Sequence, residues 1–170
     1  MGEPQTKLPS CFDCQHGADH PCRDAEGHLE PDRLVNALRV LANEQPDSPI
    51  YDENFWANDC MDTIVAEMPE LGFKLIVFAL TYFKEPFEIG CLAAGPLENL
   101  VYFHGERMID EIEREAKDNE QFRLLLSGIW GESDVNPQIW HRIQQAVKDG
   151  PWIDQDPRTP QGSHKSGDGD

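Results

Sequence analysis

The sequence predicts an all-α protein, a compact irregular bundle or short helical-repeat-like stack of six to eight helices. Three observations lead to this fold class. Apolar residues recur at helical spacing through most of the chain. Prolines stand where the first turns of helices are expected. Breaks rich in Pro and Gly separate the apolar segments at short intervals. Because no internal repeat accompanies these breaks, the bundle is favoured over the stack.

The first half of the chain contains three helical patterns. The first begins at about Pro31 and ends before Pro46, and the second covers about residues 52–68. Pro69 suits the first turn of the third, whose Leu-Ile-Val-Phe centre could also form a buried strand, although its length and flanks favour a helix. The predicted core side chains of these helices are Leu34, Val35, Leu38, Leu41, Ala42, Phe55, Trp56, Cys60, Ile64, Val65, Met68, Leu71, Leu75, Phe78, Ala79 and Tyr82.

The middle of the chain is punctuated by glycine and proline. A short helix after Pro86 leads to Gly95-Pro96, which is expected to interrupt the chain before the helical segment PLENLVYF. Gly105 is expected to interrupt it again, ahead of an acidic helix over residues 106–117. The apolar face of that helix consists of Met108, Ile109, Ile112 and Ala116.

Two more helices complete the pattern. One covers about residues 121–129, and the last is capped by Asn136 with Pro137 in its first turn. Beyond residue 149, Pro, Gly, Ser and Asp dominate, so no packed core is expected there. The predicted organisation is a flexible lead-in (1–10), a Cys/His metal-binding arm (11–28), a helical domain (29–149) and a flexible acidic tail (150–170).

The net charge of the chain is −18, from 32 acidic and 14 basic residues. Such a charge repels nucleic-acid phosphates and favours encounter with a basic protein, so a protein partner is expected and nucleic acid is not. The longest apolar run, 71–83, is interrupted by Lys74 and is too short to cross a bilayer. Because the N-terminus also lacks the apolar region of a signal peptide, we expect a cytoplasmic protein without membrane association.

A dense cluster of potential metal ligands occurs near the N-terminus, in CFDCQHGADHPC. Cys11 and Cys14 have the C-x-x-C spacing that places two thiolates on one zinc ion. His20 precedes a proline, which favours extended backbone, so its side chain and that of Cys22 are expected on the same side. The predicted ligands of a structural zinc site are therefore Cys11, Cys14, His20 and Cys22, with His16 as the alternative imidazole.

Two other interpretations of this segment remain open. It could be a disordered polar arm with accidental thiols, or a redox C-x-x-C, although the strand-then-helix context of a redox motif is missing. The odd number of cysteines argues against a disulfide framework. Cys60 and Cys91 lie far along the chain in apolar segments and are expected to be buried thiols.

Glu98 and His104 form the main catalytic candidate, because a histidine near carboxylates at a turn could act as a general base. The alternative is that His104 caps a helix end and Glu98 simply stabilises the first turn of its helix. His141 has no visible partner and is expected near the surface. The tryptophans are expected to be mainly core anchors, with the tail residue as the exception: Trp56, Trp130, Trp140 and Trp152.

One segment resembles a family of bacterial domains of unknown function. The resemblance rests on AAGPLE-x-L, then HG, an acidic helix, a Phe-Arg pair and a G-x-W turn, over about residues 90–147. In this chain these are Ala93 to Glu98, Leu100, His104-Gly105, Phe122-Arg123 and Gly128 to Trp130. The resemblance implies a helical domain and no particular activity, and it does not include the Cys/His arm.

Three functional hypotheses are compatible with the sequence. The preferred one is a non-enzymatic, acidic protein-interaction module with a structural zinc site, of an immunity or antitoxin-like kind that neutralises a basic toxin or effector. The second is an enzyme that uses Glu98 and His104 in a cleft between helices. The third is a metal-responsive regulator that senses zinc through the N-terminal arm.

Overall fold

Residues 21–130 and 135–153 are described by the computed structural model, and most of them belong to helices joined by short turns. In chain order the helices are α1 (Pro31–Asn43), α2 (Pro49–Asn54), α3 (Trp56–Glu67), α4 (Pro69–Ala79), α5 (Pro86–Leu92), a π-helical turn (Ala93–Leu97), α6 (Glu98–Asp118), α7 (Glu120–Leu126) and α8 (Pro137–Val147). Within these described ranges the only β pairing is an isolated antiparallel bridge between Arg23 and Leu29. The all-α prediction is confirmed. Residues 11–20, which carry most of the predicted metal-binding arm, lie outside the described residues.

The described chain begins with a tight reversal that precedes α1. The carboxylate of Asp24 accepts a hydrogen bond from the backbone N–H of His28 at 2.7 Å, and the N–H of Glu30 donates to the carbonyl of Cys22 at 2.9 Å. Cys22 and Leu29 are both buried in the hydrophobic core. This end of the predicted arm is therefore packed against the helical domain.

Proline and polar caps set several of the predicted helix ends. Pro31, Pro69 and Pro137 each occupy the first turn of a helix, as predicted. The side chain of Asn136 accepts a hydrogen bond from the N–H of Gln138 at 2.9 Å and so caps α8. The sequence patterns therefore located these ends correctly.

The second predicted helix, over 52–68, is wrong in its boundaries. It is two helices, because Ser48 caps an earlier start at α2 and the helix is interrupted at Phe55, whose N–H bonds to the carbonyl of Asp52. The Ser48 hydroxyl accepts the backbone N–H of Tyr51 at 3.0 Å. A serine before a proline is a helix-start signal that the apolar spacing alone did not reveal.

Of the two breaks predicted in the middle of the chain, the one at Gly95-Pro96 is wrong, whereas the one at His104-Gly105 is present as a kink. Pro96 lies inside a helical path, because the π-helical turn that joins α5 to α6 accommodates the missing N–H of the proline. The interruption predicted at Gly105 lies at the preceding residue, because His104 has non-helical backbone angles (φ −134°, ψ 17°) and this kink divides α6 into two helical parts. The chain is therefore helical through Pro96, and the acidic helix follows the kink at His104, close to its predicted start.

The long helix α6 is central to the bundle and packs against α3, α4, α7 and α8. Gly105 lies where α6 meets α8, and a Cβ at this position would stand 3.1 Å from Cγ2 of Ile139. The glycine thus permits a close approach of the two helices. On the solvent side of this contact, Arg142 of α8 binds Asp110 at 2.6 Å and Glu113 at 2.8 Å. These two acids lower the freedom of α8 to shift along α6, and the ion pairs raise the pKa of Arg142.

The chain after α8 returns to the bundle. The guanidinium of Arg123 donates to the carbonyls of Gly150 at 2.6 Å and Ala116 at 2.9 Å, which ties α6, α7 and this segment together. Ile153 donates its N–H to the Ser127 hydroxyl at 3.1 Å and packs against the core. The packed chain therefore extends to residue 153, beyond the domain end predicted at 149.

In the part of the chain that the structure describes, no helix combines the length and the apolar character needed to cross a membrane.

Candidate functional site

The buried thiol of Cys22 meets a second cysteine, Cys60, which lies on α3. The side chains are 0% and 7% exposed, respectively. The Cys60 thiol donates a hydrogen bond to the sulfur of Cys22, and this bond lowers the pKa of Cys22, whereas burial raises it. The neighbouring Arg23 lowers the pKa further through its positive charge and a hydrogen bond, so that the pKa falls from 9.0 to about 7.

Of the predicted zinc ligands, only Cys22 belongs to the described residues. Cys11, Cys14, His16 and His20 lie outside them, so the predicted ligand set stays a prediction. Within residues 21–130 and 135–153, no group of three or more Cys, His, Asp or Glu side chains could hold a metal ion.

Sequence analysis did not connect Cys60 with the N-terminal cluster. It was expected to be a separate buried thiol, and no spacing motif links it to Cys22. Their contact results from the packing of the reversal before α1 against α3. The other distant cysteine, Cys91, is half-buried rather than buried, and its burial raises the pKa of its thiol.

Glu98 and His104, the catalytic candidates, contact different parts of the bundle. Nε2 of His104 lies 2.8 Å from the carbonyl oxygen of Ala66 and donates to it, so His104 satisfies a carbonyl in the last turn of α3. Glu98 instead accepts a long hydrogen bond of 3.4 Å from the N–H of Trp130. No hydrogen bond joins these two described side chains. His104 thus has the helix-capping role that was the alternative to catalysis.

Tyr102 and Phe103 of α6 and Trp130, which follows α7, are exposed aromatic residues, and we call these three the aromatic patch. Their exposed fractions are 56%, 57% and 78%. The rings of Tyr102 and Phe103 form an edge-to-face pair with centroids 5.0 Å apart. Glu98 lies one turn before Tyr102 on α6, and its carboxylate accepts the backbone N–H of Trp130. This contact brings the backbone of Trp130 to the side of α6 that carries Tyr102.

The exposure of Trp130 corrects its interpretation as a core anchor. Trp130 follows the end of α7, and the residue of this turn that makes the close contact is Gly128. A Cβ at Gly128 would stand 2.5 Å from Cδ1 of Ile153 and 2.9 Å from Cβ of Ala93. The G-x-W turn therefore leaves no room for a side chain at its glycine and presents its tryptophan to solvent. Trp56 and Trp140 are partly buried and do pack against the core.

Glu88 is a buried carboxylate that sequence analysis missed, with only 1% of its surface exposed. It accepts hydrogen bonds from Arg39 Nε at 2.8 Å, Asn43 Nδ2 at 2.9 Å and the N–H groups of Lys84 and Glu85. Burial raises the pKa of Glu88, but these four donors together lower it to about 2. The carboxylate therefore anchors the start of α5 to α1.

Comparison with known proteins gives one match. No curated protein and no solved structure was found to match the chain. Residues 44–150 match a family of unknown function, DUF6869. The match covers more than half of the chain, begins well before the segment that carries the resemblance noted in the sequence, and includes Cys60 but not Cys22. The chain belongs to this family of unknown function.

Proposed function

We propose that this protein is a non-enzymatic, acidic protein-interaction module and that the aromatic patch is its contact surface. The observation that carries the proposal is the exposure of three large aromatic side chains, of which Tyr102 and Phe103 pair edge to face while Trp130 is linked to the same helix through its backbone contact with Glu98. Large aromatic side chains that lose contact with water on binding contribute most strongly to protein interfaces, and Trp and Tyr are enriched among such residues. A clustered set of them on the surface favours a binding site over chance exposure.

The chemistry around the patch favours a basic partner. Glu98 contacts Trp130, and Glu106, one turn beyond Tyr102, holds the Nδ2 group of Asn136 at 3.0 Å. The chain as a whole carries a net charge of −18. A negative field accelerates encounter with a positive protein, while the aromatic side chains provide the contact that holds the complex at higher salt.

An immunity or antitoxin-like role fits these properties. A toxin that acts on nucleic acid or another polyanion presents a basic active site, and an acidic protein of this size can cover such a site. The contacts of Glu98 and His104 with different elements remove the support for the enzymatic alternative. The proposed partner is therefore a basic toxin or effector.

The first prediction concerns Trp130→Ala. We expect the dissociation constant for a basic effector encoded beside this protein to rise by on the order of 30-fold or more, because loss of a central interface aromatic costs about 2 kcal/mol or more. Titration calorimetry measures the change, and co-expression measures protection from toxicity. Phe87→Ala is the matched control, since Phe87 is also exposed but lies on α5. If Trp130→Ala and Phe87→Ala bind the effector with equal affinity, the aromatic patch is not the contact surface. If the wild-type protein does not bind the effector, the proposed immunity or antitoxin-like role is wrong.

We also propose that a structural zinc ion binds Cys11, Cys14 and Cys22 together with one imidazole, His20 or His16. The support is the ligand spacing in the sequence and the buried position of Cys22 beside the helical domain. Zinc would then fasten the polar N-terminal segment to the bundle. Binding of zinc to short segments supplies roughly 10–16 kcal/mol of apparent folding free energy, which is ample to order a segment with few apolar residues.

The second prediction follows from this site. Protein purified without chelator in reducing buffer should contain one zinc ion per chain, measured by elemental analysis. A chelator should lower the melting temperature, because it removes a ligand that binds the folded state. Cys11→Ala with Cys14→Ala should abolish both the zinc and the effect of the chelator. Metal-free wild-type protein with an unchanged melting curve after these replacements would contradict the site.

A further inference from the structure

We infer that the surface cavity beside Tyr102 and Phe103 binds one arginine side chain of the basic partner. The inference rests on the proposed function and names the residue that the partner places against this part of the aromatic patch. Three observations carry it. They are a cavity of about 340 Å³, the pair of exposed rings that line it, and the carboxylate of Glu106, which lines it as well and is held in place.

The cavity lies where α6 and the start of α8 meet, and its wall includes the kink at His104. Pockets for small ligands have volumes of roughly 300–1,000 Å³, so this one suits a single long side chain rather than a helix or a strand. Val101, Val135 and Ile139 line it and are buried, which gives it apolar walls. The methylene groups of a long basic side chain pack well against such walls while the charged end stays near the surface.

Tyr102 and Phe103 give the cavity an aromatic wall. Both side chains are more than half exposed, and their rings meet edge to face with centroids 5.0 Å apart. A cation over the face of such a ring is attracted by its π electrons. A guanidinium stacks on an aromatic ring more readily than an ammonium does, because it is planar and more weakly hydrated. The two rings therefore favour arginine over lysine.

The carboxylate of Glu106 is positioned to accept a charged hydrogen bond. Its Oε1 accepts Nδ2 of Asn136 at 3.0 Å, and Asn136 is fixed in turn because its Oδ1 accepts the N–H of Gln138 at 2.9 Å. Among the residues that the structure describes, no other donor hydrogen-bonds to this carboxylate. Its second oxygen is therefore available to a guanidinium of the partner, and charged hydrogen bonds of this kind are roughly twice as strong as neutral ones.

Arg107 also lines the cavity and would repel a cation if its charge were unpaired. It forms an ion pair with Glu70 of α4, in which Nη2 and Oε1 are 2.5 Å apart. This pair offsets the charge of Arg107, so the charge of Glu106 stays unbalanced beside the cavity. The net charge of −18 adds an attractive field for a positive side chain.

Titration of the full chain with short peptides tests the inference, with binding followed by the NMR shifts of backbone amides. The probes are acetyl-Gly-Arg-Gly-amide and its lysine and citrulline counterparts, of which citrulline keeps the shape of arginine without its charge. We expect the arginine peptide to cause saturable shifts centred on residues 101–107 and 135–139, the lysine peptide to bind more weakly, and the citrulline peptide to cause no saturable shift. Equal binding of the arginine and lysine peptides, or saturable shifts elsewhere only, would overturn the inference.

Variants of the cavity wall show which groups hold the arginine. Glu106→Gln should raise the dissociation constant of the arginine peptide about 5-fold, the upper range for an exposed ion pair. Phe103→Leu should raise it about 2–5-fold, as loss of a cation–π contact at an exposed position does. Glu111→Gln is the matched control, because Glu111 lies on α6 but does not line the cavity, and it should leave the constant unchanged. Equal effects of Glu106→Gln and Glu111→Gln would overturn the inference.

The peptide and the effector experiments separate this inference from the proposed function. If the chain binds the effector through Trp130 but does not bind the arginine peptide, the inference is wrong and the aromatic patch remains the contact surface. If the chain binds the arginine peptide at the cavity but binds no basic effector, the inference stands and the immunity or antitoxin-like role is wrong.

Discussion

Glu88→Gln is expected to lower the free energy of unfolding by about 3 kcal/mol, because it removes a buried charge whose partners remain. The carboxylate accepts four hydrogen bonds, two of them from backbone N–H groups at the start of α5. An amide supplies one acceptor oxygen and turns its NH₂ group toward donors. Arg39 is partly exposed and can turn to water, which keeps the loss near the lower end for buried ion pairs.

The same residue predicts a pH dependence of stability. The pKa of Glu88 is lowered in the folded state from 4.5 to about 2, so the folded protein holds this proton less tightly than the unfolded chain does. Its contribution to stability is therefore complete above pH 4.5 and is lost as the pH falls through about 2. Urea unfolding of Glu88→Gln should show a weaker loss of stability over this interval than the wild type.

A control separates this effect from the general acidity of the chain. Glu53→Gln makes the same chemical change at an exposed position of α2. It should change the free energy of unfolding by less than about 0.5 kcal/mol, as exposed substitutions usually do. If Glu88→Gln and Glu53→Gln lower the free energy of unfolding by the same amount, the hydrogen bonds to Glu88 do not stabilise the fold.

The sequence predicted most helices because apolar periodicity and N-terminal prolines are local signals. The helices that begin at Pro31, Pro69 and Pro137 illustrate this. Their first turns are marked by the proline, and their buried faces are marked by the spacing of apolar residues within the same segment. The Glu85 to Glu88 segment shows how a local signal can be missed. It forms a capping box with acidic residues at both positions, whereas the usual signature begins with Ser or Thr.

The two breaks predicted in the middle of the chain had different outcomes. Gly105 directly follows the kink at His104, and it is also a position of close approach between α6 and α8. Pro96 is tolerated because the π-helical turn leaves no hydrogen bond that its missing N–H must make. In both cases the residue type suggested a break, and the chain stays helical only at Pro96.

The candidate sites were predictable only in part for a similar reason. Cys22 belongs to a spacing motif, but its neighbour Cys60 becomes visible only when α3 packs beside the chain before α1. Likewise, Asp110 and Glu113 have i,i+4 partners in the sequence, yet both bind Arg142 of α8. Trp130 looked like a core residue because its exposure depends on the turn after α7 and not on its residue type.

Phe122→Ala is expected to lower the free energy of unfolding by about 4 kcal/mol. Phe122 is fully buried, and its ring contacts that of Phe73 edge to face with centroids 5.5 Å apart. Truncation of a buried Phe typically costs about 3–5 kcal/mol through lost burial and the cavity that remains, and loss of an aromatic pair adds to this. The midpoint of urea unfolding measures the change, provided that the slope of the transition stays constant.

This prediction also tests how the Phe-Arg pair of the family segment contributes to the fold. Phe122 connects α7 to α4, and Arg123 connects α7 to α6 and Gly150. These structural contacts account for both residues of the pair. Phe103→Ala is the control, because it removes the same atoms from the exposed aromatic patch and should cost less than about 1 kcal/mol. If Phe122→Ala is too unstable to purify, Phe122→Leu should fold with a loss of about 1.5 kcal/mol. A fully stable Phe122→Ala would mean that α7 does not depend on this contact, and the pair would then require another explanation.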